Sequence, residues 1–262
     1  MNLQPEPICI YCGKSSADAT SRAHVLPEGF ARNDLILPAG AVCDACNHYL
    51  GHELDAVLVS HPIISLIVQS LRLPGKDGKV RDSLGGIRTD VRPKSVTIPC
   101  TEPRVVKHSD GSTTATSEPV IDRSFRFDRF RRALHHCALN AWTLRRGVSA
   151  ALDSRMDPVR RYVRSPKPTE TWPFLQYADP ERGFARDATI FVDGFKGGAY
   201  VALTFGKTIA FAVDLLGHGQ LLDYAEHSFG PGKYEVVGPE YRPPRAARQG
   251  RRRFRLTIVL DD

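Results

Sequence analysis

The chain has 262 residues, 42% of them hydrophobic and 25% charged, a profile that suits a globular protein of one or two domains. It contains no apolar run of roughly 18 residues, which excludes a membrane-spanning helix, and its start, MNLQPEPICIYC, lacks a basic stretch leading into an apolar core, so no secretory signal is read and a cytoplasmic location is expected. The net charge of +7 is concentrated, with ten Arg against Asp128, Asp153 and Asp157 in residues 124–164, and seven Arg with no acid in RPPRAARQGRRRFR at 242–255. Such clusters favour a polyanionic partner, since each neutralised phosphate releases condensed counterions; the alternative is a solvated face and a loose tail.

In chain order, ICIYCGK reads as a short strand entering a turn, with Gly13 suited to a positive φ after Cys12. From Cys43, CDACNHYLGHELDAVLVSH takes a helical rhythm that places Leu50, Leu54, Val57 and Leu58 on one side, and Asp44 suits the helix N-terminus. HPIISLIVQSLRLPG predicts a second apolar helix, opened by Pro62 and stopped by Pro74 and Gly75. Residues 75–123 are rich in Gly, Pro, Ser and Thr and hold β-like pieces, SVTIP and RVVK, beside a turn at SDGS: a hairpin or a loop region. The clearest helix carries Phe127, Phe130, Leu134, Cys137, Ala141 and Leu144 on one stripe, with Arg126, Arg129, Arg132 and Arg146 mostly elsewhere and His135 and His136 as structural or exposed residues. The final third turns to strands, ATIFVD, AYVALTF and TIAFAVD, with Gly206 and Lys207 as a two-residue hairpin turn and RLTIVL closing the sheet. The fold class is α+β, divided into a module at 1–62 and a helical and antiparallel-sheet domain at 63–262 with a basic surface.

Six cysteines are present, and four of them form two C-x2-C pairs, Cys9 with Cys12 and Cys43 with Cys46, separated by thirty residues. Four thiolates from two such pairs make a closed tetrahedral shell of the kind that holds structural zinc. An open catalytic position is not left, and two regular pairs favour zinc over an iron–sulfur cluster. About fifty residues have little core of their own, so the metal would hold the fold. Cys100 and Cys137 read as small buried hydrophobes. Zinc modules of this type are most often binding or structural units, but three features point further: His24 inside HVLPE, Asn47 directly after the last cysteine, and the helix continuing as HYLGHELD.

The combination CIYCGK…SRAHVLPE…CDACNHYLGHELD resembles the HNH endonuclease family over residues 9–58. The resemblance implies a zinc-braced ββα-metal, treble-clef-like module and a metal-dependent endonuclease that cuts DNA, with RNA left open as substrate. It implies His24 as general base taking a proton from water, a task for which an imidazole is suited at neutral pH. Asn47 matches the final motif position and would offer an oxygen ligand to a catalytic divalent cation, Mg2+ or Mn2+. Two positions depart from the family pattern. Ala23 stands before the base where Asp or Glu is common, and the middle asparagine has only an approximate match in Asn33. His48 and His52, one helical turn apart, are candidates for a substitute ligand, whereas Glu53 and Asp55 read as polar helix positions. Arg22 and the tail residues Arg251, Arg252 and Arg253 are candidates for phosphate contact. Proteins of this family often serve restriction, mobile elements or phage defence, some with a targeting partner protein, and cutting both strands would suggest a homodimer or sequential nicking. A second reading, supported by Ala23, is a zinc-containing nucleic-acid-binding or adaptor protein without catalysis.

Overall fold

The computed structural model describes residues 6–27, 35–61, 64, 83–84, 87–88, 90–92, 95–100, 104–107, 109–111, 113–116, 126–167, 169–178, 188–205, 209–230, 233–238 and 254–259. In chain order the N-terminal helices are α1 (Asp44–Leu50), a π-helical turn (Gly51–Asp55) and α2 (Ala56–Val59). Strands β1 (Ser83–Leu84), β2 (Ile87–Arg88), β3 (Asp90–Arg92), β4 (Ser95–Cys100), β5 (Arg104–Lys107) and β6 (Thr113–Thr116) follow. Next come the helices α3 (Phe127–Arg146), α4 (Val148–Ala151) and α5 (Asp157–Arg164), then β7 (Phe174–Ala178), β8 (Ala188–Asp193), β9 (Tyr200–Phe205) and β10 (Ile209–Asp214). The chain closes with α6 (Leu221–Phe229), β11 (Lys233–Val237) and β12 (Phe254–Val259). The class is α+β, as the periodicities imply. The expected helix over HPIISLIVQSLRLPG lies outside the described residues except at His61 and Ile64.

Two compact units divide the chain, one of residues 1–28, 33–58 and 127–241 and the other of 29–32, 59–126 and 242–262. In the second unit β5 and β6 pair antiparallel on either side of a turn at 109–111, with Arg104 opposite Thr116 and Lys107 opposite Thr113. The strand RLTIVL does not close the C-terminal sheet. It is β12, paired with β4 in the order β12-β4-β3, with Ile258 opposite Val96. Alternating apolar residues identify a strand but not the edge it joins.

The first unit is built on a five-stranded antiparallel sheet in the order β11-β7-β10-β9-β8. Period-two alternation gives it two apolar faces. Leu175, Tyr177, Tyr200, Ala202, Ala210 and Ala212 pack with Leu221, Tyr224 and Ala225 of α6. Phe174 and Phe211, from the opposite face, each meet the Phe130 ring of α3 at 5.6 Å between centroids. A sheet covered on both faces explains why β10 is a continuous apolar run rather than an alternating one. Phe205 pairs with Ile209, so three residues, 206–208, separate β9 from β10 instead of the expected two; the turn itself lies outside the described residues.

Helix α3 departs from the single-stripe expectation. It is buried around nearly its whole circumference from Phe130 to Ala141, including Arg131, Arg132, His135, His136 and Asn140, while Leu144 of the expected stripe is 40% exposed. The polar residues are tolerated inside because most are hydrogen-bonded. Arg131 donates to the Gly238 carbonyl, and Arg132 donates to the Val163 carbonyl at 2.9 Å and to the Tyr49 hydroxyl at 3.3 Å. His135 and His136 are structural, and burial holds both imidazoles down to about 4, where they stay neutral.

Candidate metal centre and histidine site

The first cysteine pair sits on a tight turn. Gly13, at φ +68°, donates to the Cys9 carbonyl at 2.9 Å, and the Cys9 amide returns to Lys14 O at 2.9 Å, so a left-handed residue closes the loop around the thiols. The second pair straddles a helix start, with Cys43 as the N-cap of α1 and Cys46 in its first turn. A bond from Ile10 N to Ala41 O, 2.9 Å, ties the two halves together. All four Sγ atoms fall within 4.8 Å of one another, and Cys12 and Cys43 are 3.8 Å apart. Four sulfurs at about 2.3 Å from zinc in a tetrahedron stand about 3.8 Å apart, so the cluster fits the ion.

The electrostatics agree. A hydrogen bond from Cys46, aided by the backbone amides of Cys43, Cys12 and Tyr11, draws the Cys9 thiol down to about 4 even though burial opposes it. That same bond and burial push the Cys46 thiol up. A cation resolves the conflict by letting all four thiols ionise. Arg164 of α5 adds positive charge from outside, donating to Cys46 while its guanidinium lies 4.2 Å over the Tyr49 ring.

His24 stands on a segment pinned from several sides. It forms an isolated antiparallel bridge with Ile36, made by Val25 N to Leu35 O at 2.8 Å and Leu37 N to Ala23 O at 2.9 Å. Just upstream, Asp44 of α1 accepts from the amides and hydroxyls of Thr20 and Ser21 at 2.6–3.2 Å. Those bonds, the Ser21 hydroxyl first, hold the Asp44 carboxyl down to about 2. Asn47, one turn along α1, donates its amide nitrogen to the Arg22 carbonyl at 3.3 Å. One helix therefore holds residues 20–22 immediately before the histidine and brings Asn47 to the same loop as His24. From the other side Asn140 of α3 donates to the His24 carbonyl at 2.9 Å. The His24 Nδ1 is buried and has no protein partner.

Several expected site residues fall elsewhere. His48 is exposed, and among the described residues the four cysteines are the one group of three or more such ligands close enough to share an ion. His52 is exposed and pairs with Glu53 at 3.4 Å; Glu53 also pairs with Arg129 at 3.3 Å, as a helix polar position would. Asp55 is not a solvated helix position but half-buried, and burial raises its carboxyl to about 7. Arg22 is exposed beside the histidine, while Asn33, Arg251, Arg252 and Arg253 lie outside the described residues. The arginine cluster of 124–164 is largely engaged within the chain. Arg155 pairs with Asp153, Arg160 with Asp157 and Arg161 with Glu170, whereas Arg145 and Arg146 are exposed and make no ion pair among the described residues. Sequence reasoning did not single out Arg164 or Asn140, and it took Asp44 for a dipole partner rather than a loop clamp. Only Asp44 carried a local signal, its place at a helix start.

Residues 9–63 match the family model of the HNH endonuclease. No curated protein and no solved structure matches the chain. Among the described residues no helix is long and apolar enough to cross a membrane.

Proposed function

We propose that this HNH module is a metal-dependent endonuclease that hydrolyses DNA phosphodiester bonds with His24 as general base. The observation that carries the reading is that Asn47 of α1 is hydrogen-bonded to the pinned loop that carries His24, beside a four-cysteine brace, within the segment that matches the family. Residues 1–62 would hold the chemistry, and 63–262 would supply basic surface for the phosphate backbone.

The roles follow from the atoms. The partly exposed His24 ring would take a proton from a water molecule, and that water would attack phosphorus in line with the departing 3′-oxygen. The products would be a 5′-phosphate and a 3′-hydroxyl. Asn47 engages its amide nitrogen on Arg22, which leaves the amide oxygen, a hard donor, for a cation. Ala23, 6% exposed and with its carbonyl bound to Leu37, adds no side-chain ligand, so the protein's share of a Mg2+ or Mn2+ shell rests on Asn47. Such an ion would supply positive charge against the phosphate and the leaving oxygen. Arg22 is exposed next to the base, where a phosphate can reach it.

Restriction, mobile-element or phage-defence use, a targeting partner, a homodimer for cutting both strands and a cytoplasmic setting belong to the same proposal. Ala23 favours one alternative, a zinc-containing adaptor that grips nucleic acid without cutting it. Supercoiled-plasmid nicking with Mg2+, Mn2+ or EDTA, with His24→Ala beside wild type and DNA affinity measured on both, decides between them. Metal-dependent nicks that vanish in the variant while binding persists support the nuclease. Binding without nicks under any ion supports the adaptor.

A further inference from the structure

Asn140 lies on α3, 116 residues from His24 and outside the segment that matches the family. It is 1% exposed, and its amide is committed at both ends. The Nδ2 donates to the His24 carbonyl at 2.9 Å and faces His136 Nε2 at 3.2 Å, while the Oδ1 accepts from the Tyr11 hydroxyl at 2.5 Å. An asparagine amide has two donor hydrogens and one acceptor oxygen, so this set fixes which way it points. Turning it over would set oxygen against the His24 carbonyl, two acceptors face to face. His136, held neutral by burial, can accept the second hydrogen.

The three partners come from three parts of the site. Tyr11 lies between Cys9 and Cys12 in the first thiol turn, His136 is one turn earlier on α3, and the third partner is the backbone of His24 itself. The bridge to Ile36 leaves that backbone half-held. Its two bonds are made by Ala23 and Val25, so His24 is the unbonded member of the pair and directs its own N–H and C=O to the opposite edge. Asn140 meets the carbonyl there. Among the described residues no hydrogen bond fixes the His24 ring, so the aim of the imidazole depends on the backbone that carries it. We infer that Asn140 is a positioning residue for His24, fixing the peptide that carries the base and locking it to the thiol turn through Tyr11. This inference rests on the nuclease reading for its catalytic consequence and on the geometry alone for its mechanical one.

The test uses the full-length, zinc-loaded protein as wild type, Asn140→Ala, Asn140→Asp and Thr143→Val. Asn140→Asp keeps the shape and the acceptor for Tyr11 but sets an oxygen against the His24 carbonyl. Thr143→Val, on the same buried helix, removes a bond only to Leu139 O and controls for general loosening. Amide exchange is followed at Val25 and Leu37, and plasmid nicking is resolved into kcat and KM. Either Asn140 change should speed exchange at Val25 and Leu37 by at least tenfold. It should also lower kcat by roughly 10–100-fold, the scale of a reacting group displaced by about an ångström, with KM and zinc content unchanged. Thr143→Val should do neither. Unchanged exchange at Val25 and Leu37 overturns the inference, as does a kcat loss no greater than that of Thr143→Val. If wild-type protein nicks under no ion, the nuclease reading falls and the catalytic role of Asn140 falls with it, while the exchange data still decide whether Asn140 holds the His24 segment.

Discussion

Replacing Asp55 with Asn should stabilise the protein by an amount that grows as pH rises from about 4 and is complete above about 7. Asp55 closes the π-helical turn Gly51–Asp55, with Oδ2 folded to within 3.6 Å of where a Cβ on Gly51 would sit. Among the described residues it makes no hydrogen bond or ion pair, and the groups that feel its charge are Tyr11 and Cys137. Burial alone raises its carboxyl from 3.8 to about 7. The folded protein therefore keeps a proton that the unfolded chain has already released, and stability falls as pH rises through this window. A displacement of that size is worth about 4 kcal/mol at full burial, trimmed to about 2–4 kcal/mol by the water that reaches a half-buried group. Asn is isosteric and never ionises. Urea unfolding of zinc-loaded wild type and Asp55→Asn at pH 5 and 8.5 reads the difference, and the midpoint gain at pH 5 should be less than half of that at 8.5. An equal gain at both values, or a loss at 8.5, would refute the burial argument.

The buried histidines act in the opposite direction. His135 and His136 refuse a proton until about pH 4, whereas the unfolded chain takes one at 6.5, so stability is intact above 6.5 and declines as pH drops through that interval, by up to about 3 kcal/mol each. In the Asp55→Asn background, where the opposing group is gone, a flat urea midpoint from pH 7 to 4.5 would contradict this. Phe130→Ala removes a fully buried ring that touches Phe174 and Phe211 and should lower unfolding free energy by about 3–5 kcal/mol, read from the denaturation midpoint. Arg164→Met takes a donor from Cys46 and should weaken zinc retention by roughly 10–100-fold in competition with a chromogenic chelator. Asp44→Ala frees Thr20 and Ser21, whose amides should then exchange faster while zinc stays bound.

What could be read in the sequence was local. The two cysteine pairs are spaced by the geometry of a turn and of a helix start, and the positive φ of Gly13 follows from the same turn. The strands at 188–193, 200–205 and 209–214 announced themselves through runs of apolar residues. Polar residues misled. Arg131, Arg132 and Asn140 look like the wet side of a helix, yet each is buried, because partners at Gly238, Val163, Tyr49, Tyr11 and His24 satisfy them. Those partners are distant in the chain, and no spacing rule reaches them. The arginine cluster resists a residue-by-residue reading for the same reason. A charge count cannot tell Arg145, exposed and free of an ion pair among the described residues, from Arg161, which meets Glu170 at 3.5 Å. Asp55 is a third case: a carboxyl on a helix reads as solvated until the surrounding residues close over it.

The reach of α3 into the histidine loop bears on when the site can form during synthesis. A ribosome that has released only the segment matching the family has made all four clustered cysteines and His24, enough to capture zinc. The clamp on the His24 carbonyl arrives only with Asn140, much later in translation. The nascent chain can thus fold its brace early while the His24 segment still lacks its hold from α3. A chain broken off before α3 would carry the metal module without the residue that holds the His24 segment, so under the proposed nuclease role an incomplete copy would do little to the nucleic acid around it.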